Sequence, residues 1–144
     1  MTVRFKKLSA GAKAPVYSSA SAAGADLFAC IDLPLTFAPG ETVAVPTGIA
    51  CELPEGTVGL VCARSGMATK RGLAPANKVG VIDSDYRGEI KVVLLNHSSA
   101  PQTVAPGERV AQLLIVPYIA ADFTESDSLS DTVRGEGGFG STGA

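Results

Sequence analysis

Short apolar runs, separated by turns that contain Pro and Gly, constrain this chain of 144 residues more than any other feature. Runs rich in Val, Ile and Leu between turn signals are typical of β-strands, and a helical period of 3.6 is almost absent. Pairs such as Pro39-Gly40 and Pro106-Gly107 suit type II turns, because Pro fixes the first central φ and Gly adopts the positive φ that follows. The predicted strands are Thr2–Lys6, Asp26–Ile31, Thr42–Val45, Gly48–Glu52, Val58–Ala63, Val79–Ile82, Glu89–Asn96 and Arg109–Pro117.

This pattern predicts an all-β fold, because many short strands joined by tight turns build a β-sandwich or a distorted jelly roll. Only Ser65–Arg71 is suited to a helix, a short one with Ser65 as a possible N-cap. The pattern A-P-G-E-x-V occurs at residues 38–43 and again at 105–110, which predicts the same turn into a strand at both places.

The C-terminal end differs from the rest of the chain in composition. Five of the 16 glycines fall within residues 134–144, where nearly every residue is small. The length fits one domain. We therefore predict a single β domain over residues 1–133 and a flexible Gly-rich segment over residues 134–144.

Charge and hydropathy argue against several classes of protein. The net charge is −2 and the pI is about 5.3, so the chain offers no broad basic surface for nucleic acid. No run approaches the roughly 18 apolar residues of a membrane span, and Met1–Lys7 lacks the apolar region of a signal peptide. We therefore expect a cytoplasmic protein that binds neither nucleic acid nor membrane.

The cysteine and histidine residues also limit the kinds of metal site and catalytic site that we expect in this chain. The three cysteines, Cys30, Cys51 and Cys62, form no C-x-x-C pair and fit reduced residues of a β core. The single histidine, His97, argues against a His-rich zinc site and against a His-based catalytic triad.

The Gly-rich terminus contains the first group of candidate binding residues. Its glycines let backbone N–H groups converge on phosphate oxygens, while Arg134, Ser141 and Thr142 supply further donors. Phe139 stands alone among glycines, which favours stacking on a planar group such as a base. The segment is not a Walker A motif, and a frayed terminus fits its composition about equally well.

Arg64-Ser65-Gly66, at the end of a predicted strand, is the second candidate. A guanidinium, a hydroxyl and free N–H groups at one point can bind an anion. A helix cap with solvated cations explains the same residues equally well.

The segment Gly80–Glu89 places two carboxylates after an apolar strand. Asp83 and Asp85 share one face if that strand continues straight. A hairpin turn is the simpler interpretation of such a segment. In a hydrolase without a catalytic histidine, however, a carboxylate is the natural base for activating water.

Three further polar residues interrupt apolar sequence. Asp26, at the start of a strand, offers the oxygen ligands that Mg²⁺ prefers, although such an Asp is more often a turn residue. Arg109 and Gln112 are three positions apart in one strand, so alternation points them to opposite faces, and an inward one requires a partner.

Taken in their order along the chain, these five segments resemble the five motifs of the trimeric dUTPase family, the deoxyuridine 5'-triphosphate nucleotidohydrolases. The resemblance covers the chain from about residue 23 to the C-terminus. Its most specific parts are G-V-I-D-S-D-Y-R-G at residues 80–88 and R-G-E-G-G-F-G-S-T-G at residues 134–143. Ala63, where Pro is frequent, and Met67, where Leu is usual, depart from the family pattern only by apolar exchanges.

The resemblance implies a jelly-roll homotrimer whose active sites combine residues from all three chains. It implies hydrolysis of dUTP to dUMP and pyrophosphate with Mg²⁺, which keeps uracil out of DNA and supplies dUMP for thymidylate synthesis. Residues 134–144 would then form a lid that orders over the bound triphosphate.

The resemblance also implies a role for each matching residue in the body of the chain. Asp83 would be the general base, Asp26 would order the water shell of the metal, and Tyr86 would lie against the deoxyribose and exclude a 2′-hydroxyl. Asp85 and Arg87 would be structural. The residues implied to hold uracil and the phosphates are Arg64, Ser65, Gly66, Asn77, Val81 and Gln112.

In the C-terminal segment, Arg134, Ser141 and Thr142 would close on the γ-phosphate, Phe139 would stack on the base, and Gly140 would join the binding site. Three other functions stay open beside this one: a related dCTP deaminase, a sensor that binds dUTP without turnover, and a structural trimer. Ligand binding separates the structural trimer from the others, and product analysis separates enzyme from sensor.

Overall fold

The structure, a computed structural model that describes residues 1–138, is built from short antiparallel strands and one helix. The prediction of an all-β fold with a single short helix is confirmed. The strands are β1 (Arg4–Lys7), β2 (Val16–Tyr17), β3 (Ala25–Phe28), β4 (Leu35–Phe37), β5 (Thr42–Pro46), β6 (Ile49–Glu52), β7 (Thr57–Cys62), β8 (Leu73–Pro75), β9 (Gly80–Ile82), β10 (Lys91–Asn96), β11 (Gln102–Val104) and β12 (Arg109–Pro117), and the helix is α1 (Ser65–Arg71).

The strands form four sheets within the described residues. The largest has the order β2-β3-β12-β7-β9, the second has the order β5-β10-β8, and β1-β6 and β11-β4 form two-stranded sheets. Burial alternates along β7 and β10, so that every second side chain points to the interior. Each sheet contributes one large side chain to a common buried cluster: Leu27, Phe37, Ile49 and Leu73.

The repeated A-P-G-E-x-V pattern builds the same turn twice, as predicted. Gly40 and Gly107 adopt φ values of 76° and 70°, which the second central position of such a turn requires. In each copy the Glu carboxylate, of Glu41 or of Glu108, also accepts the N–H of the Ala that opens the turn, at 2.7 and 2.9 Å.

Two local predictions are wrong. Ser65 is not the N-cap of α1, because Arg64 holds that position with an extended backbone and without a side-chain capping bond. Arg109 and Gln112 do not point to opposite faces. A β-bulge between Arg109 and Ala111 adds one residue, so Arg109 pairs with Phe28 and Gln112 pairs with Asp26, two positions that share a face of β3.

The last strand ends at Pro117, and residues 118–136 are exposed. Large apolar side chains, including Ile119, Phe123 and Leu129, are at least 90% exposed in this segment. Among residues 1–138, no helix reaches the length and apolar character that a membrane crossing requires.

Candidate active site

A cleft of about 540 Å³ opens over strands β3, β7 and β12 of the five-stranded sheet. The register places Gln112 opposite Asp26 on one side and opposite Cys62 on the other. Side chains at paired positions lie on the same face, so these three residues line one cleft. Gly24, Arg64 and Ser65 line it as well.

Asp26 is the anion at the bottom of this cleft, with only 7% of its surface exposed. Its Oδ1 accepts a hydrogen bond from Nε of Arg64 at 2.7 Å, and its Oδ2 accepts one from Nη1 of Arg109 at 3.2 Å. One carboxylate between two guanidiniums leaves one positive charge in excess. We call this site the cationic cleft, because its charge favours a negatively charged ligand such as a phosphate.

Gln112 is held in the cationic cleft by its neighbours. Its Nε2 donates a hydrogen bond to the carbonyl of Ala63 at 2.9 Å. A Cβ placed on Gly24 would collide with Oε1 of Gln112 and lie 3.1 Å from its Cβ. The glycine therefore makes room for the Gln112 side chain.

Ser65 and Gly66 are exposed in the first turn of α1. The N–H groups of a first turn have no partner within the helix, so they are available to an anion. Arg64 precedes them, and its side chain lies in the cationic cleft. The structure thus places Arg64 and Ser65 in one cleft, with Gly66 next to them in the first turn of α1.

Arg71, a residue that the sequence analysis did not assign to the site, attaches the other end of α1 to the body of the protein. Its guanidinium donates hydrogen bonds to Gln102 at 3.3 Å, to the carbonyl of Thr103 and to the carboxylate of Glu108. A cation in the last turn of a helix is an expected feature. Its partners are more than 30 positions away, so sequence spacing gave no signal for them.

The predicted base lies in a second cleft, of about 350 Å³, which we call the Asp83 cleft. Asp83, Tyr86, Glu89 and Lys91 line it together with Val81. Strand β9 ends just before Asp83, whose backbone carbonyl accepts the N–H of Tyr86 at 3.1 Å. The chain turns here instead of continuing straight to Asp85. The carboxylate of Asp83 is exposed and takes part in no ion pair within residues 1–138.

Two more residues that are predicted to contact the nucleotide flank strand β9. Asn77 is exposed in the turn between β8 and β9, where Nδ2 of Asn77 lies 3.4 Å from the position that a Cβ on Gly80 would occupy. Tyr86 is 43% exposed, and its Oη donates a hydrogen bond to the carbonyl of Glu89 at 3.0 Å.

The two clefts lie at opposite ends of β7. Antiparallel pairing sets Gly59 opposite Ile82, which places Asp83 beside Val58. Arg64 is six residues further along the chain, or about 20 Å at the rise of a β-strand. Within one copy of the chain, the structure therefore does not bring Asp83 together with Arg64.

Only the beginning of the predicted C-terminal segment is described. Arg134 is exposed, and its Nε donates a hydrogen bond to the carbonyl of Gly137 at 2.7 Å. The predicted ligand-binding residues Phe139, Gly140, Ser141 and Thr142 lie outside the described residues.

The fold is antiparallel β, one cleft has excess positive charge, and a separate cleft presents a carboxylate and a tyrosine. These features are those expected of a protein that binds a small phosphorylated ligand. The comparisons with known proteins agree with this class and make it specific. A family model for dUTPase matches residues 10–143. The chain therefore belongs to the dUTPase family.

Two relatives named deoxyuridine 5'-triphosphate nucleotidohydrolase are similar over nearly the whole chain. The protein from Desulfitobacterium hafniense is 54% identical over 132 residues, which cover 91% of this chain and 87% of that relative. The protein from Hydrogenobaculum sp. is 48% identical over 143 residues, which cover 99% of each chain.

Solved structures match the fold. The dUTPase of Staphylococcus bacteriophage 80alpha, in a structure with dUpNHpp, gives a TM-score of 0.91 at 28% identity and covers 99% of both chains. The dUTPase of the S. aureus phage phi11 gives a TM-score of 0.82 at 24% identity over 91% of this chain and 100% of its own. That phi11 structure is described as coordinating a structural Mg(II) ion.

Proposed function

We propose that this chain hydrolyses dUTP to dUMP and pyrophosphate in active sites assembled between three copies of itself. Hydrolysis of dUTP is the activity of the chain, because it belongs to the dUTPase family and shares about half of its residues with two named members. The arrangement between copies is supported by one observation above all, the separation of about 20 Å between Asp83 and Arg64 along β7.

Asp83 is proposed as the general base. Hydrolysis requires a water molecule that loses a proton as it attacks phosphorus, and a carboxylate without an ion-pair partner is free to take that proton. The exposed Asp83 side chain lines its cleft beside Tyr86, so a water held by Asp83 lies close to the group proposed to contact the sugar.

The cationic cleft is proposed to bind the phosphates. Arg64 and Gln112 present donors there, and Ser65 and Gly66 add a hydroxyl and backbone N–H groups. A triphosphate carries several negative charges, and fixed donors stabilise the charge that moves during its cleavage. The excess positive charge around Asp26 makes this cleft the better phosphate site of the two.

The Asp83 cleft is proposed to bind the nucleoside. Tyr86 would lie against the deoxyribose and leave no space for a 2′-hydroxyl, while Asn77 and the backbone around Val81 would form hydrogen bonds with uracil. The position of all three around β9, with Tyr86 and Val81 lining one cleft, supports this assignment.

Asp26 is the residue best suited to Mg²⁺, although the cleft offers no complete set of protein ligands. Within residues 1–138, no three His, Cys, Asp or Glu side chains form a metal site. Each oxygen of Asp26 already accepts one hydrogen bond, yet a carboxylate oxygen has two lone pairs. Asp26 thus fits a hydrated ion bound through water, and Mg²⁺ would neutralise phosphate charge there.

Residues 134–144 are proposed as a lid distinct from the β domain of residues 1–133. Arg134, Ser141 and Thr142 would supply donors to the γ-phosphate, Phe139 would stack on the base, and Gly140 would allow close approach of the backbone. The exposure of residues 118–136, outside the strands of their own copy, supports a segment that acts elsewhere in the assembly.

A product assay tests the reaction and its specificity. The purified protein is incubated separately with dUTP, dCTP, dTTP and UTP, each with Mg²⁺ or with a chelator. We expect dUMP and pyrophosphate from dUTP alone, and only with Mg²⁺. Conversion of dCTP would instead indicate a deaminase, and saturable dUTP binding without product would indicate a sensor.

Sharing of the site between copies is tested by complementation. Asp83→Asn and Arg64→Ala chains, each inactive alone, are co-expressed with different tags. If each site takes Asp83 and Arg64 from different copies, random assembly leaves about a quarter of the sites intact. We expect the purified mixed oligomer to regain about that share of the wild-type kcat.

The control for this experiment is a mixture of the two variants purified separately, which should stay inactive. A mixed oligomer without activity would show that Asp83 and Arg64 act within the same copy. Light scattering of the wild-type protein measures the number of chains in the assembly, for which we expect three.

A further inference from the structure

We propose that Gly88 and the backbone carbonyl of Glu89 form a seat for the ring of Tyr86, and that this seat sets the preference for a deoxyribose over a ribose. The inference rests on the proposed function, in which Tyr86 contacts the sugar. It assigns a positioning role to Gly88, which acts on the substrate only through Tyr86.

The ring of Tyr86 lies where the side chain of any other residue at position 88 would begin. A Cβ on Gly88 would lie 2.5 Å from Cζ and 2.8 Å from Cε2 of Tyr86, and it would collide with Oη. Gly88 does not have a positive φ, so its backbone conformation does not require glycine. The close approach of the ring is therefore the physical reason for glycine at this position.

The far end of the same ring is fixed by a hydrogen bond. Oη of Tyr86 donates to the carbonyl of Glu89 at 3.0 Å. That carbonyl is itself held in place, because the Glu89 side chain accepts the N–H of Gly48 at 2.8 Å. The next residue, Ile90, donates its N–H to the carbonyl of Ile49 at 2.9 Å. The seat is thus attached to the start of β6.

Despite these contacts, the Tyr86 side chain is not buried. It is 43% exposed and lines the cleft that also contains Asp83. A methyl group at position 88 would therefore displace the ring from its seat at little cost to stability. The wall that excludes a 2′-hydroxyl would move, so the effect falls on substrate choice rather than on folding.

The test compares the ratio of kcat/KM for dUTP to kcat/KM for UTP in the wild type and in Gly88→Ala. We expect the ratio to fall about tenfold, the size typical of a change of one methyl group in a specificity pocket. Gly11→Ala is the matched control, because a Cβ there meets only Cys30 Sγ at an ordinary 3.8 Å. An unchanged ratio in folded Gly88→Ala would overturn the proposal.

A double-mutant cycle separates the seat from other roles of Gly88. In a Tyr86→Ala background the ring is gone, so Gly88→Ala should no longer alter the dUTP to UTP ratio. The same tenfold fall in that background would overturn the proposal. Should Gly88→Ala fail to fold, Tyr86→Phe gives the test, because it removes the bond to Glu89. A retained ratio would then contradict the anchoring of the ring.

The wild-type ratio distinguishes this inference from the proposed function. A wild-type protein that hydrolyses UTP as well as dUTP would remove the sugar-contacting role of Tyr86 itself. A wild-type protein that prefers dUTP, with Gly88→Ala unchanged, would leave that role intact and overturn only the seat.

Discussion

Asp83→Asn is expected to lower the kcat of dUTP hydrolysis about 1,000-fold while nucleotide affinity changes little. Asn has the shape of Asp but does not accept a proton from water, so ground-state contacts persist and proton transfer is lost. Stability should stay unchanged, because the exposed Asp83 carboxylate forms no ion pair within residues 1–138. Steady-state kinetics measure kcat, and titration with a non-hydrolysable dUTP analogue measures affinity.

Asp85→Asn is the matched control for this prediction. It makes the same chemical change two residues away, in an exposed side chain that lines a neighbouring depression together with Asp83. We expect its kcat to stay within about twofold of the wild type. An Asp83→Asn variant that retains more than about a tenth of the wild-type kcat would exclude Asp83 as the base. Loss of activity in Asp85→Asn alone would assign the base to Asp85.

The structure shows why a turn and a catalytic role are compatible at Asp83. The backbone carbonyl of Asp83 closes the turn by accepting the N–H of Tyr86, while the carboxylate stays exposed in the cleft. The two interpretations of this segment therefore concern different atoms of the same residue. From the sequence alone, the turn and the catalytic base look like alternatives. The reason is that a pattern of residue types does not show which role belongs to the backbone and which to the side chain.

Long strands were predicted better than short ones, for a physical reason. β12 has the predicted limits, because nine residues provide enough alternation and a Pro marks its end. β8, of three residues, was missed although its Leu73 is fully buried. So short a strand is held by pairing with β10, and that pairing is invisible in the local sequence.

The bulge in β12 is the feature that most separates the observed arrangement of the site from the one that the sequence predicts. Strict alternation places Arg109 and Gln112 on opposite faces, and the extra residue between them restores a common face. Arg109 then reaches Asp26, whose carboxylate is bound by two arginines, whereas the sequence alone suggests only a metal or a turn for this residue. A bulge depends on the register of both strands, so one strand's sequence does not reveal it.

Register also explains why residues close in sequence lie in separate clefts. Arg64 and Asp83 are 19 positions apart, yet the antiparallel pairing of β7 with β9 sends them to opposite ends of the same strand pair. The motifs and their order along the chain indicate the family and name the candidate site residues. Their distribution between two clefts follows from the three-dimensional pairing.

Deletion of residues 134–144 is expected to lower the kcat for dUTP about 100-fold without unfolding the protein. The segment is proposed to supply Arg134, Ser141 and Thr142 as donors to the γ-phosphate and Phe139 as a stacking group. Loss of even one such donor at the moment of bond cleavage commonly costs this much. The Tm should shift by less than about 2 °C, because the strands end at Pro117 and Arg134 is exposed.

A truncation that removes only Gly143 and Ala144 is the matched control, since it shortens the chain but keeps every lid residue that is proposed to contact the nucleotide. We expect it to retain the wild-type kcat and Tm. If the longer deletion left kcat unchanged, residues 134–144 would have no part in the reaction, and the phosphates would depend on the cationic cleft alone. A large fall in Tm would instead show that the segment stabilises the β domain, which contradicts the proposed separation of domain and lid.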